Sequence, residues 1–386
     1  MAHRSSERSK FSSPKIPGLY VHVPFCQTKC SYCNFYSTTS PSKIPEFLGS
    51  LLQEIEMVSP EWDRFDTIYI GGGTPSILTP GQLGMILSAI RNHFLLYPDS
   101  EITLEGNPAD LNLSNLLSLR EIGVNRLNLG VQSFDRKTLE FLGRRHSVRQ
   151  AISAIGLSRQ AGFNHIGVDL IYGVPGQNME SWIDTLSRAI AFSPEHISCY
   201  ELTIERDTPL GTAYHQGKFF SPSEEEQFDL FMATAEKLEQ AGYIHYEVSN
   251  FARQSGYASR HNQKYWNHTP YLGLGPSAHS FSGGRRWWNY RSVDQYTSAV
   301  KEGKFPVEGS ENLSLEQLRM EAFFLGLRTK KGIHLEDFYT QYKWDLMLEK
   351  GKALTKLQEE GFLSFVDGHL YPTRAGLAVA DLLALI

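Results

Sequence analysis

From Gly18 onward the chain repeats one pattern: a short run rich in β-branched and aromatic residues, a Gly, Pro or Asn break, then a stretch with apolar residues at helical spacing. Gly18-Leu19-Tyr20-Val21-His22-Val23 reads as the first strand, and residues 45–58 as a helix with Phe47, Leu48, Leu51, Leu52 and Ile55 on one face. Thr67-Ile68-Tyr69-Ile70 runs into Gly71-Gly72-Gly73-Thr74-Pro75-Ser76. The next helix opens at Thr79-Pro80, a capping residue followed by a proline where no N–H is needed. The unit returns with strands at 102–105, 126–131, 165–172 and 196–202, which end in breaks such as Gly106-Asn107-Pro108 and Gln132-Ser133-Phe134. Six βα units thus fill about 190 residues.

Strands alternating with helices predict an α/β fold with a parallel sheet, and right-handed crossovers leave an open doubly wound sheet or a barrel. Polar breaks after every strand favour the barrel, because one rim then gathers all the loops into a single site. Residues 223–241 continue as a helix with Phe228, Phe231, Met232, Ala235 and Leu238 on one face, and 243–248 as a strand. Residues 250–290 are aromatic and glycine-rich without a period, which predicts shaped loops. From Leu313, helices at 315–327, 335–342 and 346–360, strands at 362–365 and 369–371 about an Asp367-Gly368 turn, and a last helix predict a winged-helix-like α+β domain. The expected divisions are a flexible tail at 1–15, a barrel at 16–250, a connecting region at 251–312 and a C-terminal domain at 313–386.

Composition adds little beyond class. With 41% hydrophobic and 20% charged residues, the chain is an ordinary globular protein able to bury a large core. A formal charge of -5 gives no attraction to phosphate backbones or anionic membrane, and the C-terminal stretch from Glu311 carries nine basic against eleven acidic residues. Nucleic acid is therefore not an expected partner. No run approaches the roughly 18 to 20 apolar residues that span a bilayer. The basic, serine-rich start contains Glu7 and lacks an apolar or amphipathic repeat, so a tail is expected rather than a targeting segment, and the cytoplasm is the expected location.

Chemistry concentrates in Cys26-Gln27-Thr28-Lys29-Cys30-Ser31-Tyr32-Cys33, where three of the four cysteines fall within eight residues. Such spacing points to a thiolate-ligated metal rather than to disulfides. Zinc would need a fourth ligand, for which His22 is the near candidate; a four-iron cluster on three cysteines leaves one iron free of protein. Cys199, inside an apolar strand, reads as a small core residue.

The Cys-x3-Cys-x2-Cys pattern, with the aromatic Tyr32 before its last cysteine, resembles the signature of the radical S-adenosylmethionine (SAM) enzymes. That resemblance implies a partial (β/α)6 TIM-like barrel and a 4Fe-4S cluster on Cys26, Cys30 and Cys33. It further implies SAM chelating the free iron and an electron transfer that can release a deoxyadenosyl radical. Gly71-Gly72-Gly73-Thr74-Pro75 is similar to the motif that holds the SAM amino group.

Further stretches resemble the oxygen-independent coproporphyrinogen III oxidase group: His22-Val23-Pro24-Phe25-Cys26, Glu105-Gly106-Asn107-Pro108, Gly130-Val131-Gln132-Ser133-Phe134, Leu142-Gly143-Arg144-Arg145-His146 and Asp169-Leu170-Ile171-Tyr172-Gly173-Val174-Pro175-Gly176. The similarity runs from Gly18 to the C-terminus and implies SAM contacts at Tyr20, Tyr32, Gly72, Gly73, Thr74, Glu105, Gln132, Arg144 and Asp169. Acceptors at Glu105 and Asp169, an amide at Gln132 and a cation at Arg144 suit a ligand with ammonium, carboxylate and hydroxyl groups.

Departures from the oxidase pattern point elsewhere within that group. Phe35 stands where the oxidases resemble Cys-x3-Cys-x2-Cys-x-Cys, and only 25 residues precede Cys26. His261-Asn262-Gln263-Lys264-Tyr265-Trp266 is similar to the HNxxYW motif of a haem chaperone branch. That branch implies a protein tied to porphyrin biosynthesis that carries haem as cargo to an acceptor haemoprotein, with His261 as a candidate axial ligand beside Tyr265, Trp266 and Tyr271. His268 and His279 are the substitute ligands. The alternative is an oxidase that decarboxylates two propionates of coproporphyrinogen III. A radical enzyme with another substrate is a third reading, and a homodimer is one admissible assembly.

Overall fold

Strands β1 (Gly18–Val23), β2 (Arg64–Gly72), β3 (Leu95–Gly106), β4 (Arg126–Gln132), β5 (Ile166–Tyr172) and β6 (His196–Glu201) pair side by side, all parallel and in the order of the chain. A doubly wound sheet would reverse its strand order at a switch point. Here no reversal occurs, so every crossover turns the same way and the sheet forms the partial (β/α)6 barrel. The computed structural model that shows this describes residues 15–383 and 385–386, and the expected tail lies, except for Lys15, outside the described residues.

Helices α1 (Ile44–Val58), α2 (Pro80–His93), α3 (Leu113–Glu121), α4 (Arg136–Phe141), α5 (Val148–Gln160) and α6 (Met179–Ala191) supply the crossovers. Their starts are written locally: Thr79 and Gln82 form a reciprocal cap at α2, as do Ser147 and Gln150 at α5. Alternation along each strand sorts side chains between two faces. Leu19, Val21 and Val23 of β1 are fully buried in one core with Ile68, Leu104, Leu127, Val168, Ile197 and Cys199 and with Phe47, Ile86, Ile155 and Trp182 of the helices. The intervening Tyr20, Tyr69 and Glu105 lie on the opposite, inner face. Trp182 keeps its indole N–H satisfied by donating to Thr234 Oγ1 at 2.7 Å.

After α7 (Pro209–His215) and α8 (Glu224–Gln240), β7 (Ile244–Glu247) and β8 (Asn250–Ala252) extend the sheet antiparallel beyond β6. The stretch expected as shaped loops is in fact regular. It holds helix α9 (Arg260–Trp266), strand β9 (Tyr271–Leu274) parallel to β1, and the antiparallel β10 (His279–Ser282) and β11 (Arg285–Asn289), and β12 (Val307–Asn312) beyond it pairs antiparallel with β11. Among the described residues the whole sheet has twelve strands. These pieces are too short to show a period, and β12 is an exposed polar edge, so no hydrophobic pattern announces them. Glu54 of α1 anchors the extension from within the core: it accepts from Gly275 N at 2.8 Å, Asn289 Nδ2 at 2.6 Å and Tyr296 Oη, on α10 (Val293–Lys301), at 2.6 Å.

The C-terminal region builds its own core from Phe323, Leu327, Ile333, Phe338, Leu354, Leu363 and Leu370. It comprises α11 (Leu315–Leu327), β13 (Ile333–His334), α12 (Leu335–Tyr342), α13 (Leu346–Glu359), β14 (Leu363–Val366), β15 (His369–Pro372), α14 (Arg374–Ala378) and α15 (Ala380–Leu383). The expected two-stranded wing gains a third strand, because β13 pairs with β15. Backbone bonds from Val248 N to Arg328 O (3.0 Å) and Lys330 N to Tyr246 O (3.1 Å) seat this region on the barrel edge. Among the described residues no helix is long and apolar enough to cross a membrane.

Candidate cluster and cofactor site

The cysteine loop leaves the C-terminal end of β1 and closes on itself where Cys26 N donates to Thr38 O (3.0 Å) and Thr38 N to Pro24 O (2.7 Å). Inside it, Cys33 N turns back onto Cys30 O at 3.2 Å. All three thiols line one small cavity of about 50 Å³, together with Thr74, Arg144 and Arg145. Cys199 is buried in the barrel core, away from that cavity. His22 is not a fourth ligand here, since its ring nitrogens engage Tyr20 Oη (3.1 Å) and Tyr36 O (3.0 Å), and burial lowers its pKa to about 4. Among the described residues no three His, Cys, Asp or Glu groups converge as a single-ion site. A polynuclear cluster spaces its thiolates with its own irons and sulfides, and a ring of three thiols around a cavity fits that occupant.

The Gly-rich loop after β2 is shaped by close backbone approach. Gly73 N donates to Val23 O and Thr74 N to Phe25 O, each at 2.8 Å, so this loop is laced to the base of the cysteine loop. A Cβ on Gly73 would stand 2.8 Å from Phe25 O, and one on Gly72, whose φ is +112°, would enter the His22 ring at 2.6 Å. These contacts, and not ligand approach alone, demand glycine.

Next to the thiols a second cavity of about 620 Å³ opens at the strand ends. Tyr32, Gly72, Gly73, Thr74, Glu105, Gln132, Arg144 and Asp169 all line it, along with Cys33. Tyr20 does not; it lies beneath Tyr69, with ring centroids 6.2 Å apart. Glu105 accepts from Tyr69 Oη at 2.8 Å and from Gly72 N at 3.2 Å. Burial, with Asp169 nearby, raises its pKa to about 7, and burial raises that of Asp169 to about 6. Gln132 adopts a φ of +65°, a strained conformation for a side-chain-bearing residue and of the kind stored at functional sites. Asp169 Oδ1, Asn128 Oδ1 and Arg144 Nε are buried without a partner among the described residues. Orphaned acceptors and a donor around one cavity fit a polar ligand with ammonium and hydroxyl groups.

Other contributors to this rim are invisible to motif reading. Tyr69 and Asn128, bonded at 3.2 Å, hold Glu105 from below. Arg145 donates to Gln27 Oε1 at 2.9 Å and pairs with Asp110, which accepts from Ser76 Oγ at 2.8 Å, tying the loops after β1, β2, β3 and β4 together. Arg145 belongs to a recognisable motif, but only the fold reveals its partners.

His261 lies elsewhere. Helix α9 packs against the opposite, N-terminal ends of β2 and β3, where Glu101 accepts from Arg260 N (3.2 Å) and His261 N (3.0 Å). The imidazole is 1% exposed, with Nδ1 on Thr67 Oγ1 at 2.9 Å and Nε2 on Tyr265 Oη at 2.8 Å. Burial lowers its pKa to about 3, so the ring is neutral. His268 is bonded to Tyr342 Oη at 3.1 Å, whereas His279 is exposed and stacked on Trp288 at 5.9 Å.

Comparison with known proteins agrees with this geometry. Residues 20–189 match the Radical SAM superfamily and residues 313–379 the HemN C-terminal domain. The chain is 33% identical to a Bacillus subtilis protein named heme chaperone HemW, over 92% of this chain and 95% of that one. It is 34% identical to the bovine protein named radical S-adenosyl methionine domain-containing protein 1, mitochondrial, over 100% and 92% of the two chains. Among solved structures, the Escherichia coli coproporphyrinogen III oxidase HemN, described as a radical SAM enzyme, superposes with a TM-score of 0.84 at 25% identity, covering 96% of this chain and 90% of that one. With its cysteine loop, strand-end cavity and HNxxYW helix all in place, the chain belongs to the HemW family of the radical SAM superfamily.

Proposed function

We propose that this protein is a haem chaperone that holds a 4Fe-4S cluster on Cys26, Cys30 and Cys33, binds SAM in the adjoining cavity, and passes haem to an acceptor haemoprotein in the cytoplasm. The observation that carries the reading is the similarity to proteins named heme chaperone HemW along nearly the whole chain. When bound, a reduced cluster of this type can supply one electron to the SAM sulfonium. The chain's own residues serve ligand placement: Glu105 and Asp169 accept from its polar hydrogens, and Gln132 and the glycines shape the cavity wall.

One residue at the cavity mouth speaks against the oxidase reading. Phe35, 68% exposed at the mouth, replaces the extra cysteine of the oxidase pattern with an apolar ring. The test is anaerobically reconstituted protein with SAM and reductant, offered coproporphyrinogen III and haem separately. Haem uptake and delivery to an apo-haemoprotein is the expected outcome; formation of protoporphyrinogen would overturn the proposal.

A further inference from the structure

Two of the three thiols receive a side-chain donor, each from a different rim loop. Thr74 Oγ1, after β2, donates to Cys26 Sγ at 3.3 Å, and Arg144 Nη1, after β4, donates to Cys30 Sγ at 3.3 Å. Both donors are held in place independently of the thiols. Thr74 N is bonded to Phe25 O, and Arg144 Nη2 donates to Gly130 O at 2.8 Å, in the gap left by a glycine whose Cβ would stand 3.2 Å from that nitrogen. A neutral thiol is a weak acceptor, so such fixed donors gain little from it; a thiolate accepts strongly. Their aim at sulfur is therefore suited to the metal-bound form.

Resting on the cluster reading above, we infer that Thr74 and Arg144 are positioning residues for the inorganic centre as well as walls of the SAM cavity, and that their bonds to the Cys26 and Cys30 sulfurs raise its reduction potential. A donor draws electron density from the thiolate and so favours the reduced, more negative cluster. Arg144 adds a full charge where Thr74 adds a dipole, so its effect is the larger.

The test uses the full chain, reconstituted anaerobically without SAM or haem, with iron per chain measured and the midpoint followed by the paramagnetic signal of the reduced cluster. Thr74→Val is expected to shift the midpoint negative, Arg144→Met to shift it farther, and Thr74→Ser to keep the wild-type value, all at full iron content. Iron loss in Thr74→Val with retention in Thr74→Ser would also support the assignment, because the hydroxyl would then be needed to hold the centre. Wild-type midpoints in both Thr74→Val and Arg144→Met would overturn it, and so would iron loss shared by Thr74→Val and Thr74→Ser. If the wild-type chain takes up no iron, the cluster reading itself falls, an outcome distinct from an unshifted potential.

Discussion

Glu105 and Asp169 face one cavity with raised pKa values of about 7 and about 6, because burial penalises each carboxylate. A SAM ammonium or hydroxyl needs these groups ionised as acceptors. As pH falls through 7 and then 6, the ligand-free protein takes up protons that binding must expel, so affinity should drop, by roughly tenfold per pH unit for each protonated group. Calorimetric titration of SAM between pH 8 and pH 5 checks this, and Asp169→Asn should remove the lower of the two inflections while leaving iron content unchanged. A flat profile in the wild-type protein would remove these carboxylates from the ligand's shell. Legibility at this scale follows chain locality. The cysteines, glycines, Glu105, Gln132, Arg144 and Asp169 sit in recognisable short motifs. Tyr69, Asn128, Ser76 and Asp110 act through partners distant in sequence, 59 residues away in the Asn128–Tyr69 bond and 34 in the Ser76–Asp110 bond, and nothing local marks them.

Elements with a long core-facing stripe were readable, and elements held by edges or polar clamps were not. The helix at α1 and the strands β1 to β6 carry apolar patterns that only one layer arrangement buries. Helix α9 has seven residues, and its position depends on Glu101, whose carboxylate caps its first turn and faces Arg126 at 3.6 Å. Arg126 is itself buried, with Nε and Nη2 unpartnered among the described residues, so Glu101 is its counter-charge. Glu101→Ala would strand that charge and free the α9 N-terminus, at a cost of about 3 to 5 kcal/mol. Urea unfolding checks the magnitude, and a loss below about 1 kcal/mol would show that water replaces the carboxylate. Glu101→Gln, which keeps an acceptor but removes the charge, should fall between the two.

At the scale of the whole molecule, the two motif regions occupy opposite ends of the barrel: the thiols and the large cavity at the C-terminal rim, α9 at the N-terminal ends of β2 and β3. Between them run inner-face side chains that include Tyr20 and Tyr69, with Tyr69 reaching Glu105 above and its ring lying tilted 5.2 Å from that of His261 below. Arg328 of the C-terminal region lies 5.4 Å over the Trp266 ring, so α9 is gripped from both sides. Axial ligation of haem by His261 and this closed packing exclude one another, because Nε2 must leave Tyr265 and the ring must reach the surface. Haem bound through His261 should therefore loosen α9, raising amide hydrogen exchange across residues 260–266, and His261→Ala should abolish both the ligated-haem bands and that loosening. Cys33→Ser should alter neither, since the thiols lie at the far end of the barrel. His279 provides the opposing outcome: it already faces solvent on Trp288. Loss of the bands in His279→Ala, with exchange in α9 unchanged by haem in the wild-type chain, would place the iron on the β10–β11 sheet and leave the HNxxYW helix as a structural plug.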